Sequence, residues 1–139
     1  MDMPKIAIIA FSGTVDKLMP VGVLSGAAAA IGYEVEIFAT FWGLMAFRKD
    51  MAEKNIRFSK EFEDMAETMM RIMKEKNVPS WVELLRQAKQ LGNVKIYACA
   101  QTFDMFGMKK EDLLDIVDEV VGAGEYLEKA KDADITLFI

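Results

Sequence analysis

The chain has no histidine and a single cysteine, Cys99, in 139 residues. Without histidine there is no common zinc site, no Ser-His-Asp triad and no Cys-His pair. One cysteine excludes an internal disulfide, a Cys-x-x-Cys redox pair and a cysteine-rich metal site. Any chemistry at Cys99 must therefore draw its thiolate from a helix N-terminus, from backbone amides or from Lys and Arg. The chain also lacks a block of basic residues, and its net charge is −5. That balance argues against nucleic acid and against an anionic membrane surface as partners. It lacks a membrane-length apolar run as well. The longest low-charge stretch, residues 18–33, is interrupted by Pro20, Gly22 and Gly26 and is about four residues short of a bilayer span. The first residues, "MDMPKIAIIAF", have an acidic second position and too short an apolar run for a signal peptide. A cytoplasmic protein without stable membrane insertion is expected.

What is present is apolar. Hydrophobic residues make up 53% of the chain, so either the core is large or apolar surface is kept for a partner. Residues 5–11, "KIAIIAF", form a continuous β-branched-rich run of the kind buried on both faces of a parallel sheet. A turn at Ser12, Gly13 and Thr14 follows, then a helix over 17–31 with small residues at Gly26 and Ala27, stopped by Gly32. Strands are predicted over 34–40, 94–98, 119–122 and 135–139, with helices over 81–91, 109–117 and 125–131. Ser80 and Glu83 form a capping-box pattern ahead of the 81–91 helix. Between the second and third strands, Phe58, Phe62, Met65, Met69, Ile72 and Met73 recur at helical spacing and predict an amphipathic, methionine-rich helix serving as core or subunit interface. The whole, residues 1–139, reads as one three-layer α/β/α domain with a mostly parallel five-stranded sheet and an inserted segment at about 51–78.

In an open parallel sheet, sites form outside the carboxyl ends of the strands. Three such ends carry polar or reactive residues: Ser12-Gly13-Thr14, Thr40-Phe41-Trp42-Gly43, and Cys99 with Gln101 and Thr102 just beyond it. If the segment from Gln101 is helical, its free amides lower the thiol pKa and favour a thiolate or persulfide anion. The competing reading is that Cys99 is a small apolar residue filling a core, since cysteine is among the most buried residue types. Ser12-Gly13-Thr14 is equally an ordinary turn, and no phosphate-loop pattern accompanies it. Arg48 and Lys49 are available as cations near a thiolate, though such pairs usually mark a solvated helix face. Asp104 reads as structural or capping, because an acid beside a thiol raises its pKa.

Taken in order, "KIAIIAFSGTVDKLMPV" (5–21), "EIFATFWGL" (36–44), "FRK" (47–49), "KNVPSWVELL" (76–85), "VKIYACAQTFDMFGMKKEDLLD" (94–115), "VVGAGEYLEKA" (120–130) and "ITLFI" (135–139) resemble the DsrE/DsrF-like proteins of the sulfur-relay type. The resemblance implies a compact DsrE/F-like α/β domain assembled as a homo-oligomer (trimer, tetramer or hexamer). It also implies a cysteine that carries sulfane sulfur as a persulfide and exchanges it with a small TusA-like carrier protein. The sulfur-bearing position falls on Cys99. Thr40, Trp42, Gly43, Thr102, Asp104 and Gly107 match family positions of the pocket wall and its turns. Met45 and Ala100 depart from it, standing where polar residues are common.

The expected catalytic residue is thus Cys99. The expected substrate pocket comprises Ser12, Gly13, Thr14, Thr40, Phe41, Trp42, Gly43, Gln101 and Thr102. The chemistry calls for no metal and no cofactor. A lone thiol exchanging sulfur with an external thiol fits a chain with one cysteine. The alternative is a non-catalytic oligomeric module that holds a partner or a small ligand. A one-cysteine peroxidase stands below both, because the proline-containing motif expected ahead of a peroxidatic cysteine is absent.

Overall fold

A computed structural model describes residues 3–139. Its centre is a five-stranded sheet in the order β4-β3-β2-β1-β5, parallel throughout. The strands are β1 (Lys5–Ala10), β2 (Glu34–Ala39), β3 (Val94–Cys99), β4 (Glu119–Val121) and β5 (Ile135–Phe138). The helices are α1 (Val15–Ala30), α2 (Trp42–Ala46), α3 (Lys49–Ala52), α4 (Ala66–Glu75), α5 (Trp81–Leu91), α6 (Ala100–Met105) and α7 (Ala123–Ala130).

The chain steps three times in one direction, from β1 to β4, and then returns across the sheet to place β5 beside β1. Parallel crossovers are right-handed, so the three forward steps put their connections on one face and the return step puts α7 on the other. The side chains divide accordingly. Ile6, Ile8, Val35, Ile37, Val94 and Ile96 pack with Leu18 and Val21 of α1 and Trp81, Leu85 and Ala88 of α5. The alternate residues Ala7, Phe38, Tyr97, Cys99 and Val121 pack with Tyr126 of α7. The period of two along each strand sends Cys99 to the α7 face. The Tyr126 ring stacks on Phe38, with centroids 4.6 Å apart, and its hydroxyl donates to the Glu36 carbonyl at 3.0 Å. Burial, with the negative charge of Glu36 close by, holds that hydroxyl well above its ordinary pKa.

The small residues of α1 serve its contact with α5. A Cβ at Gly22 would stand 2.8 Å from that of Leu84, whereas Gly26 faces open space. Gly32 follows the helix at φ +88°, the left-handed conformation that favours glycine just past a helix end. Ser80 accepts from the Glu83 backbone N–H at 3.1 Å and caps α5. Among the described residues, no helix is long and apolar enough to cross a membrane.

Two predicted helices take other forms. The helix expected from the 58–73 spacing has no regular structure as far as Ser59, turns through a 3-10 segment at Lys60–Met65 and becomes α-helical only in α4. Long-range hydrogen bonds hold residues 55–59 as a strap across the β1–α1 turn. Asn55 donates to the Gly13 carbonyl at 2.8 Å, Val15 N–H to the Arg57 carbonyl at 2.7 Å, and Ser59 N–H to the Asp16 carboxylate at 3.0 Å. No residue of α4 is buried, and Met65, Met69 and Ile72 face outward, so the methionine-rich stripe is not core. The charged helix predicted over 109–117 is a single 3-10 turn at Lys110–Asp112. The Asp112 carboxylate accepts from Lys109 N–H at 2.8 Å, and Leu113 then runs extended to bridge Arg48.

Candidate functional site

Cys99 is the last residue of β3 and the N-cap of α6, with φ −65° and ψ 118°. Its side chain is 5% exposed. The parallel register pairs Ala39 with Ala98, so the next residues along, Thr40 and Cys99, leave the sheet side by side. Thr102 of α6 reaches back to the same point and is 2% exposed. Its hydroxyl lies 3.3 Å from that of Thr40 and accepts the Phe41 backbone N–H at 3.0 Å.

These groups set the thiol. Burial pushes the Cys99 thiol up, but the hydroxyls of Thr102 and Thr40 and the backbone N–H groups of Thr102 and Gln101 outweigh it and hold the pKa below the ordinary value. Each of these donors is better used by a thiolate than by a thiol. Arg48 does not provide the activation, because it pairs with Asp50 at 3.0 Å. Lys49 belongs to a different cleft, with Leu113 and Glu119. Cys99 is therefore a buried thiol tuned by neutral donors.

The turn beside it is unusual. Phe41 has φ +51° and ψ −122°, a region that costs a residue with a side chain roughly 1–3 kcal/mol. Gly43 makes the turn fit. Its N–H donates to the Phe11 carbonyl at 2.7 Å, and a Cβ there would lie 2.0 Å from the Ala10 carbonyl oxygen. A strip of aromatic rings runs outward from Phe41. Trp42 meets it edge-on at 5.0 Å, Phe106 lies at 6.2 Å and Phe11 at 6.1 Å, and Phe11 stacks on Phe138 at 5.7 Å. Phe11, Phe41, Trp42 and Phe138 are all exposed.

The residues expected to form one pocket fall into two groups. Thr40, Phe41 and Thr102 stand around Cys99, and Gln101 joins them through its backbone N–H, its side chain being exposed. Ser12, Gly13 and Thr14 instead line a separate cleft of about 290 Å³ with Trp42, Asn55 and Arg57. β2 stands between β1 and β3, so the turn after β1 is two strand spacings, about 9.6 Å, from the thiol. Trp42 and Gly43 link the groups. A Cβ on Gly13 would come within 2.5 Å of the Trp42 carbonyl. Asn55 and Arg57 escaped sequence reasoning, because the strap that brings them in is held by bonds to residues some forty positions earlier. Asp104 is exposed, on the last turn of α6.

A family model described as DsrE/DsrF/DrsH-like matches residues 2–138. The chain is 35% identical over 164 residues to the sulfur carrier protein DsrE2 of Allochromatium vinosum, covering 100% of both chains. It is 33% identical over 156 residues to the protein YrkE of Bacillus subtilis, covering 97% of this chain and 96% of that one. Among solved structures, MTH1491 of Methanobacterium thermoautotrophicum superposes with a TM-score of 0.59 at 20% identity, covering 99% of this chain and 100% of that one. The ychN protein of E. coli gives 0.59 at 15% identity, with the same coverage. Those two likenesses establish the fold: a five-stranded parallel sheet flanked by helices.

Proposed function

This chain belongs to the DsrE/DsrF/DrsH-like family, and on that premise we propose that it is a sulfur carrier that holds sulfane sulfur as a persulfide on Cys99 and passes it to and from a TusA-like partner. The observation that carries this reading is a lone thiol whose pKa is lowered by hydroxyl and amide donors at the end of a central strand. The name of the relative from Allochromatium vinosum supports the same role.

The chemistry needs one thiolate and an external thiol. The Cys99 thiolate attacks the outer sulfur of a donor persulfide. The donor's S–S bond breaks, its thiolate leaves, and Cys99–S–SH forms. In the second half an acceptor thiolate attacks that outer sulfur, the Cys99–sulfur bond breaks, and the Cys99 thiolate departs with the electron pair. Two thiols exchange one sulfur atom, and no external oxidant or reductant is consumed. A lowered pKa serves both halves, since it raises the fraction of attacking thiolate and makes Cys99 the better leaving group. An approaching partner meets the exposed strip of Phe11, Phe41, Trp42 and Phe138, which fits recognition by a protein. We assign Ser12, Gly13 and Thr14 to the outer wall of that approach.

A free thiol awaiting sulfur persists where thiols are kept reduced, which favours a cytoplasmic setting. Homo-oligomer formation is supported by the β5 edge, where Ile135 and Phe138 are exposed. The exposed stripe of Met65, Met69 and Ile72 favours a second role in holding a partner. The test is incubation with polysulfide or a persulfidated carrier, followed by intact-mass measurement. Wild type is expected to gain the mass of one sulfur atom and Cys99→Ala none. Equal behaviour of the two proteins would sink the proposal.

A further inference from the structure

The chain has four arginines, and three of them are matched to carboxylates. Arg48 pairs with Asp50 at 3.0 Å, Arg71 with Glu75 at 3.9 Å and Arg86 with Asp115 at 2.7 Å. The fourth, Arg57, makes no ion pair among the described residues, although acidic residues outnumber basic ones by 22 to 17. Its place in the strap is nevertheless fixed from both sides. The Arg57 N–H donates to Asn55 Oδ1 at 3.0 Å, and the Arg57 carbonyl accepts from Val15 N–H at 2.7 Å. Asn55 is anchored in turn by its bond to the Gly13 carbonyl at 2.8 Å.

The strap thereby brings an unmatched arginine to the cleft of about 290 Å³ beside Trp42. No acidic residue lines that cleft. Asp16, two residues past the Ser12–Thr14 turn, accepts the Ser59 N–H instead and is not in the wall. The neutral polar groups there are the Asn55 amide and the hydroxyls of Ser12 and Thr14, which lie 3.1 Å apart. The remainder is apolar: Trp42, Met45, Ala46 and Met51. The volume is near the lower end of small-molecule sites, which begin at about 300 Å³.

We propose that this cleft binds a small organic anion, with its carboxylate or sulfonate on Arg57 and its apolar body against Trp42, Met45 and Met51. The planar guanidinium fork suits a carboxylate or sulfonate. The apolar wall rewards a hydrocarbon body that displaces water from it. A bare inorganic anion satisfies only the first requirement and a neutral molecule only the second. The cleft is two strand spacings, about 9.6 Å, from Cys99, and the proposal does not rest on the sulfur-carrier role.

The chain has two tryptophans, and their indole N–H signals in a nitrogen-correlated NMR spectrum separate the cleft from the core. Trp42 is 48% exposed and Trp81 only 3%. Titration with benzenesulfonate is expected to move the Trp42 signal to saturation and to leave that of Trp81 in place. Affinity should be at least about tenfold weaker for benzenesulfonamide, which keeps the body without the charge, and for sulfate, which keeps the charge without the body. Arg57→Gln should weaken benzenesulfonate by a similar factor. That substitution leaves the backbone bonds to Asn55 and Val15 in place, so its melting temperature should match wild type. The comparison of ligands on the wild type needs no variant. A Trp42 signal that stays still, a sulfonamide that binds as tightly as the sulfonate, or Arg57→Gln that binds as tightly as wild type would overturn the site. Cys99→Ala should bind benzenesulfonate as wild type does, so a failure to load sulfur would count against the proposed function alone.

Discussion

Gly43→Ala is expected to lower stability by about 3 kcal/mol in urea unfolding, a large effect for a single methyl group. The added Cβ would stand 2.0 Å from the Ala10 carbonyl oxygen and 2.7 Å from its carbon. Both obstacles are backbone at the end of a central strand, so no side chain can rotate away. Relief requires the β2–α2 turn to lift from β1, breaking the 2.7 Å bond from Gly43 N–H to the Phe11 carbonyl. The same movement pulls Phe41 from Thr102, so reactivity at Cys99 should change along with stability. Gly26 provides the opposite control. It lies in α1, and a Cβ added there would meet no atom within 4 Å. Gly26→Ala should therefore stabilise by about 0.5–1 kcal/mol through helix propensity. A Gly43→Ala protein as stable as wild type would mean that the turn does not pass against β1 as described.

Trp81→Ala is expected to cost about 3–5 kcal/mol, a substantial part of the 5–15 kcal/mol typical of a domain. Trp81 opens α5, is 3% exposed, and meets Phe47 edge-to-face with centroids 5.0 Å apart. Its loss leaves a void between α5 and the turn leading out of α2. It also removes a wall of the cleft that Met70 and Met73 of α4 line from the other side. Because α4 has no buried residue of its own, it should detach first. Limited proteolysis of the variant is expected to cut between residues 60 and 78 before the rest of the chain, and the melting temperature should fall by about 10 °C or more. Uniform cleavage along the chain would contradict the weak seating of α4.

β1 was legible because a strand buried on both faces is apolar along its length, as residues 6–10 are. Ile6 and Ile8 serve one face and Ala7 the other, and the run admits no competing period. The position of Cys99 near a strand end was legible too, since the apolar run of β3 stops one residue later, before Gln101. Its threonine partners were not paired in advance. Thr40 is 59 positions from Cys99, and only the register of Ala39 with Ala98 brings them level. The expected pocket was too broad because adjacency in strand order was not available: Ser12 follows β1, one strand beyond β2. Periodicity failed over 58–65 and 109–117, while the helix it predicted holds from Ala66. In the two failed stretches, bonds from Asn55, Arg57 and Ser59 to the β1–α1 turn, and from Asp112 to Lys109, outweigh a helical pattern of apolar residues.

One transfer tests the sulfur-carrier role of Cys99 most directly. Wild-type protein would be loaded with one sulfur atom, freed of donor, and mixed with a reduced TusA-like carrier while the intact masses of both proteins are followed. The predicted result is that the loaded protein loses the mass of one sulfur and the carrier gains it, with Cys99 returning as a free, alkylatable thiol. Sulfur that stays on Cys99, or loading that proceeds equally in Cys99→Ala, would contradict it.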